Sequence, residues 1–185
     1  MDARNRIWDA QEFSANCGGL GGTWEPKNSD GGVFTNVDVV TATASSINTA
    51  FVNMAAQLDL CDIRDLAMSM GVQRADGDEL SYVPSSILGT NELSPLTMAN
   101  AMATFANNGI YCSLIAIDKV IVRSTGLEME VPKSECSRVI SAEVAAAATH
   151  AFKAVISGGT ATRSNTDDDT PIAGKTGSTD SYVQT

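Results

Sequence analysis

Two short clusters in this chain carry groups suited to chemistry on an amide. The first is Lys175-Thr176-Gly177-Ser178. On an extended edge strand such a run offers its backbone to an elongated ligand, and Gly177 removes the Cβ that would stand in the way. The hydroxyls of Thr176 and Ser178 can bind a terminal carboxylate that the Lys175 charge attracts. The second is Ser46-Ile47-Asn48, 129 positions earlier: a serine able to hand a proton to a departing nitrogen and a carboxamide able to hold a substrate amide. Together these are parts of a serine acyl-transfer apparatus, which also needs a hydroxyl nucleophile, a base for its proton and two N–H groups aimed at the oxyanion. Each cluster has a plainer reading too, a loop tetrapeptide for the first and helix-capping residues for the second.

The nucleophile segment that usually accompanies Lys-Thr-Gly is S-x-x-K, and it does not occur here. Three positions before Lys27, Lys119, Lys133, Lys153 and Lys175 stand Trp24, Ala116, Glu130, His150 and Ile172.

The elements that must position the two clusters are readable from periodicity and punctuation. Residues 16–36 hold six glycines, a proline and several Asn, Asp and Ser, the composition of a loop. From Val37 the pattern turns helical. Ala50, Phe51, Met54, Ala55 and Leu58 fall on one face, predicting a packed helix from Ser46 to Asp59. A second helix is predicted over Asp62 to Met70, with Asp62 as N-cap and Gly71 as its left-handed stop. Ser94 as cap, Pro95 in the first helical position and Gly109 past the end sign a third, and Ser141 to Gly158 bound a fourth. Residues 114–131 alternate apolar and polar around Ser124-Thr125-Gly126, a β-hairpin pattern, and Ile172 to Ser178 reads as a strand. The class is α+β, within one domain of 185 residues.

Composition excludes several functions. Hydrophobic residues at 43% and charged residues at 18% describe a globular chain, and a net charge of -10 without a basic stripe excludes nucleic acid as a partner. No apolar run nears the length of a membrane span, and Met1-Asp2-Ala3-Arg4-Asn5 lacks the apolar core of a secretory signal. Cys17, Cys61, Cys112 and Cys136 form no C-x-x-C pair and the single histidine is His150, so no zinc site or other metal is expected. Four cysteines leave three disulfide pairings open, with buried free thiols as the other reading. His150 reads as packed or surface, Asp167-Asp168-Asp169 as a solvated loop, and Trp8 and Trp24 as local packing.

Longer segments carry a family resemblance. Ala44 to Val52 (ASSINTAFV), Pro84 to Thr90 (PSSILGT), Leu93 to Ala99 (LSPLTMA), Ala103 to Gly109 (ATFANNG), Gly159-Thr160-Ala161 and Ala173 to Gly177 (AGKTG) resemble, in order, segments of the transpeptidase domain of class A (bifunctional) penicillin-binding proteins. The likeness extends over residues 16–180, and the cysteine-containing segments look most like actinobacterial members.

That resemblance implies a penicilloyl serine transferase fold, with helices packed on an antiparallel sheet. It implies a fragment of a peptidoglycan D,D-transpeptidase that cross-links stem peptides ending in D-Ala-D-Ala through a serine acyl-enzyme, binds β-lactams and needs no cofactor. A D,D-carboxypeptidase, a β-lactamase or an inactive remnant are the alternatives. Ser46 would relay a proton, Asn48 hold the substrate amide and Lys175 supply charge. Thr176 and Ser178 would take the carboxylate, and the Ser178 N–H would serve as one oxyanion donor. In the family S-x-x-K lies further upstream than the 45 residues before Ser46 allow, so residues 1–185 would be a partial domain, short at both ends and inactive alone. Such proteins act outside the cytoplasmic membrane, here through an anchor not in this sequence. That compartment favours disulfides, Cys112 with Cys136 clipping the hairpin and Cys17 with Cys61 remaining.

Overall fold

The computed structural model describes residues 1–166, 168 and 170–178. Among the described residues five α-helices run in chain order: α1 (Val39–Ala44), α2 (Asn48–Ala55), α3 (Leu60–Ser69), α4 (Pro95–Ala106) and α5 (Ala142–Ser157). Strands are short and pair antiparallel in twos: β1 (Trp8–Asp9) with β2 (Thr23–Trp24), β3 (Ile110–Cys112) with β6 (Cys136–Arg138), and β4 (Val120–Ile121) with β5 (Glu128–Met129). The class is α+β as expected.

Each helix start follows from a local oxygen except one. Asp38, Asp59, Ser94 and Ser141 accept first-turn N–H groups of α1, α3, α4 and α5. The cap of α3 is therefore Asp59, not Asp62, because Asp59 has the extended backbone a cap needs and its carboxylate takes the N–H groups of both Cys61 and Asp62. The same carboxylate accepts from the Ser14 hydroxyl and the Asn16 N–H, and these bonds, led by that from Ser14, hold it below the usual carboxylate range. Helix α2 has no such cap of its own, since its N-cap is Ile47.

The predicted single helix from Ser46 to Asp59 is corrected to a shorter one. Its sequence pattern merges with α1, but the chain breaks at Ser45 to Ile47 before restarting at Asn48. Val52 is fully buried while Leu58 is half exposed, because Leu58 lies past the helix end.

Three small cores hold these elements. Trp8, Phe13, Val52, Ala55 and Leu60 form one, Ala3, Ala42, Ile47 and Ala50 a second, and Val155, Ile156 and Ala161 a third with Ile172 packed on it. Phe105 of α4 meets Phe152 of α5 edge to face. Gly159, just past α5, sits so near α1 that an added Cβ would lie 2.2 Å from the Ala44 carbonyl oxygen. A side chain there would push the two helices apart.

Both expected disulfides are formed, Cys17–Cys61 and Cys112–Cys136, and no cysteine is free. The second joins directly opposed residues of β3 and β6, closing the base of the segment that carries the β4–β5 hairpin. Trp8 is core with the Arg6 guanidinium over its ring, and His150 is exposed on α5. Asp167 and Asp169 of the acidic run lie outside the described residues.

The expected strand at Ile172 to Ser178 is not formed. Residues 171–178 have no ladder partner among the described residues, and a strand exists only through its neighbour. The segment is held instead by the Gly174 N–H to the Phe152 carbonyl, by Ile172 on the third core and by its side chains.

Candidate active site

The corner between α1 and α2 is a Schellman ending. The Ile47 N–H returns to the Ala42 carbonyl, the Ser46 N–H to that of Thr43, and Ile47 packs on Ala42. This geometry requires a left-handed residue at Ser46, whose φ is 55°. Two other helices end the same way, α3 with Gly71 and α4 with Asn108 in the left-handed position. Glycine and asparagine are the residues that tolerate that conformation; serine tolerates it poorly. The chain therefore keeps a hydroxyl where the backbone favours its absence. Ser46 is not a helix cap, and neither is Asn48, whose side-chain nitrogen donates to the Lys27 carbonyl at 2.9 Å.

The left-handed turn brings Ser46 to the C-terminal cluster. Lys175 Nζ donates to Ser46 Oγ at 2.7 Å across 129 positions. It also donates to the Thr176 carbonyl at 3.0 Å and to Thr176 Oγ1 at 3.3 Å, so three acceptors face its three protons. Lys175 as a residue is exposed, yet its ammonium is wedged between Ser46 and Thr176, and this partial desolvation holds it below the ordinary lysine range.

One neighbour of this cluster was not among the residues singled out from the sequence. Thr160 stands 2.7 Å from Thr176, hydroxyl to hydroxyl, while its own N–H is held by the Ala44 carbonyl at the end of α1. Ala44, Ser46, Lys175, Thr176 and Thr160 thus form one closed ring of contacts. The sequence marks Thr160 only through the Gly159-Thr160-Ala161 segment of the family resemblance.

Gly177 and Ser178 lie exposed beyond this ring. A Cβ on Gly177 would meet nothing within 4 Å, so nothing described in this chain calls for a glycine there. Two surface hollows, of about 290 and 380 Å³, are lined by other residues, and the ring itself lies open. Among the described residues no three His, Cys, Asp or Glu side chains are grouped to hold a metal, and no helix is long and apolar enough to cross a membrane.

A cationic segment bonded to a serine-bearing helix corner brings the two sequence clusters together, and comparison with known proteins decides the family. The profile of the penicillin binding protein transpeptidase domain matches residues 6–185. The chain belongs to the penicillin-binding protein transpeptidase family.

Penicillin-binding protein 1A of Aquifex aeolicus is 35% identical over 162 residues, covering 88% of this chain and 21% of that relative. Penicillin-binding protein 1B of Escherichia coli is 30% identical over 169 residues, covering 89% of this chain and 19% of the relative. This transpeptidase-family chain thus spans about a fifth of the length of those relatives. Among solved structures, penicillin-binding protein 1A from Haemophilus influenzae superimposes with a TM-score of 0.77 at 21% identity, over 98% of this chain and 31% of that one. PonA1 from Mycobacterium tuberculosis gives 0.73 at 20%, over 95% and 47%. At these identities the superpositions speak to the fold.

Proposed function

We propose that residues 1–185 are part of a peptidoglycan D,D-transpeptidase that acts outside the cytoplasmic membrane and is acylated by β-lactams. The observation that carries this reading is the 2.7 Å bond between Lys175 and Ser46. Within it Ser46 protonates the departing nitrogen. An ammonium donating to its oxygen makes the Ser46 proton easier to give up. Asn48 holds the substrate amide. Thr176 and Ser178 receive the terminal carboxylate, which takes over the donors of Lys175, and Gly177 leaves room for the substrate backbone. The Ser178 N–H is one oxyanion donor. The nucleophilic serine and its lysine come from an S-x-x-K segment outside these residues, which form a partial domain. Two disulfides support an oxidising compartment. A solved PonA1 structure is a complex with penicillin V, which supports the ligand class.

The test is covalent labelling by a fluorescent penicillin. The complete natural polypeptide carrying these residues is expected to label, and the 185-residue chain alone is not. Lys175→Met in the complete polypeptide is expected to slow acylation about a hundredfold, the usual loss for one electrostatic donor. No labelling of the complete polypeptide would overturn the reading, and labelling of the 185-residue chain would overturn the need for an outside nucleophile.

A further inference from the structure

Helix α2 begins beside the proposed catalytic serine but lacks its own cap, and the missing oxygen comes from far upstream. Asn28, only 5% exposed, accepts the Thr49 N–H of the first turn through Oδ1 at 3.2 Å. Its Nδ2 donates to the Gly32 carbonyl at 2.8 Å and to Thr49 Oγ1 at 3.2 Å. Thr49 Oγ1 spends its single proton on the Ala3 carbonyl at 2.7 Å, so it must accept from Asn28. This fixes which way the Asn28 amide points. The network is buried and satisfied, hence rigid.

The residue before Asn28 completes the device. The Lys27 carbonyl accepts from Asn48 Nδ2, which orients the Asn48 carboxamide and uses one of its two Nδ2 protons. Residues 27 and 28 therefore grip α2 at consecutive positions, Lys27 on Asn48 and Asn28 on Thr49.

We propose that Asn28 is a positioning residue for the substrate-amide site: by capping α2 from 21 residues upstream it sets the Lys27 carbonyl that orients Asn48. It touches no substrate. The inference rests on the functional reading above, since it assigns Asn28 a task only if Asn48 meets a substrate amide.

The test compares two lactams on the complete natural polypeptide: benzylpenicillin, whose acylamino arm carries an amide, and penicillanic acid, which lacks the arm. Asn28→Ala is expected to lower the acylation efficiency of benzylpenicillin about tenfold or more, the scale of loss when a supporting residue loosens a reacting geometry, and that of penicillanic acid less than about threefold. Asn28→Ala/Asn48→Ala is expected to discriminate the lactams no differently from Asn48→Ala alone. Should Asn28→Ala not fold, Asn28→Asp keeps an acceptor for the Thr49 N–H, loses the donor toward Gly32, and is judged by the same ratio. Equal losses for both lactams, or effects of Asn28 and Asn48 that add, would overturn the proposal. Failure of the unsubstituted polypeptide to react with either lactam is a different result, and it removes the functional reading itself.

Discussion

Replacing Ser46 by glycine is expected to stabilise the fold slightly while slowing acylation by about 10² to 10⁴, the range for a positioned proton donor. The two effects have separate causes. At φ 55° a non-glycine residue costs roughly 1–2 kcal/mol, and glycine relieves it. Glycine also loosens the unfolded chain, which takes back about 0.4–1 kcal/mol, so the net gain is about 0.8 kcal/mol. The bond to Lys175 is lost, but it is exposed and contributes little to stability. Activity falls because the hydroxyl facing the lysine is gone. Urea unfolding and lactam acylation on the same variant check both signs. A variant that is destabilised, or one that acylates at the original rate, contradicts the assignment of Ser46 as a strained functional residue.

Removing the Cys17–Cys61 bridge as Cys17→Ala/Cys61→Ala is expected to cost about 4 kcal/mol under oxidising conditions, by loop-closure entropy for a separation of 44 residues. The bridge ties the glycine-rich loop to the first turn of α3, where Cys61 is fully buried beside Leu60 of the first core. Asp59 makes the same connection through Ser14 and Asn16, but its bonds are exposed. They hold the geometry without replacing the covalent constraint. Alanine at both positions avoids burying a new hydroxyl at 61. Unfolding in urea gives the loss directly, and a value below about 1 kcal/mol would show that the unfolded loop is already constrained.

The predicted elements that matched were those with local punctuation. Ser94-Pro95 and Asn108-Gly109 enclose α4, Ser141 and Gly158 enclose α5, and Ser124-Thr125-Gly126 turns the β4–β5 hairpin. Propensity and capping act within a few residues, so these boundaries are written where they occur. The misplaced boundaries were ones where the residue type gave no clear mark or two neighbouring residues of one type competed. The break at Ser46 hides inside a continuous apolar pattern, because its Schellman bonds and the α1–α5 packing outweigh the preference of serine. The cap of α3 went to Asp59 and not Asp62 because Asp59 has the extended backbone and takes the Cys61 and Asp62 N–H groups, and Ser14 and Asn16 from far upstream reach the same carboxylate.

By itself the sequence determined the chemistry available: a serine and a carboxamide at 46 and 48, a cation with hydroxyls at 175 to 178, four cysteines, and segments in the order of one family. Tertiary structure decided which of these groups meet. It placed Lys175 on Ser46, brought Thr160 to Thr176, chose one cysteine pairing of three, and lent α2 a cap from Asn28. The reason is range. Residue types and their spacing are one-dimensional, whereas a hydrogen bond over 129 positions forms only once α1, α5 and the segment after it have packed, and no local pattern encodes where that packing ends.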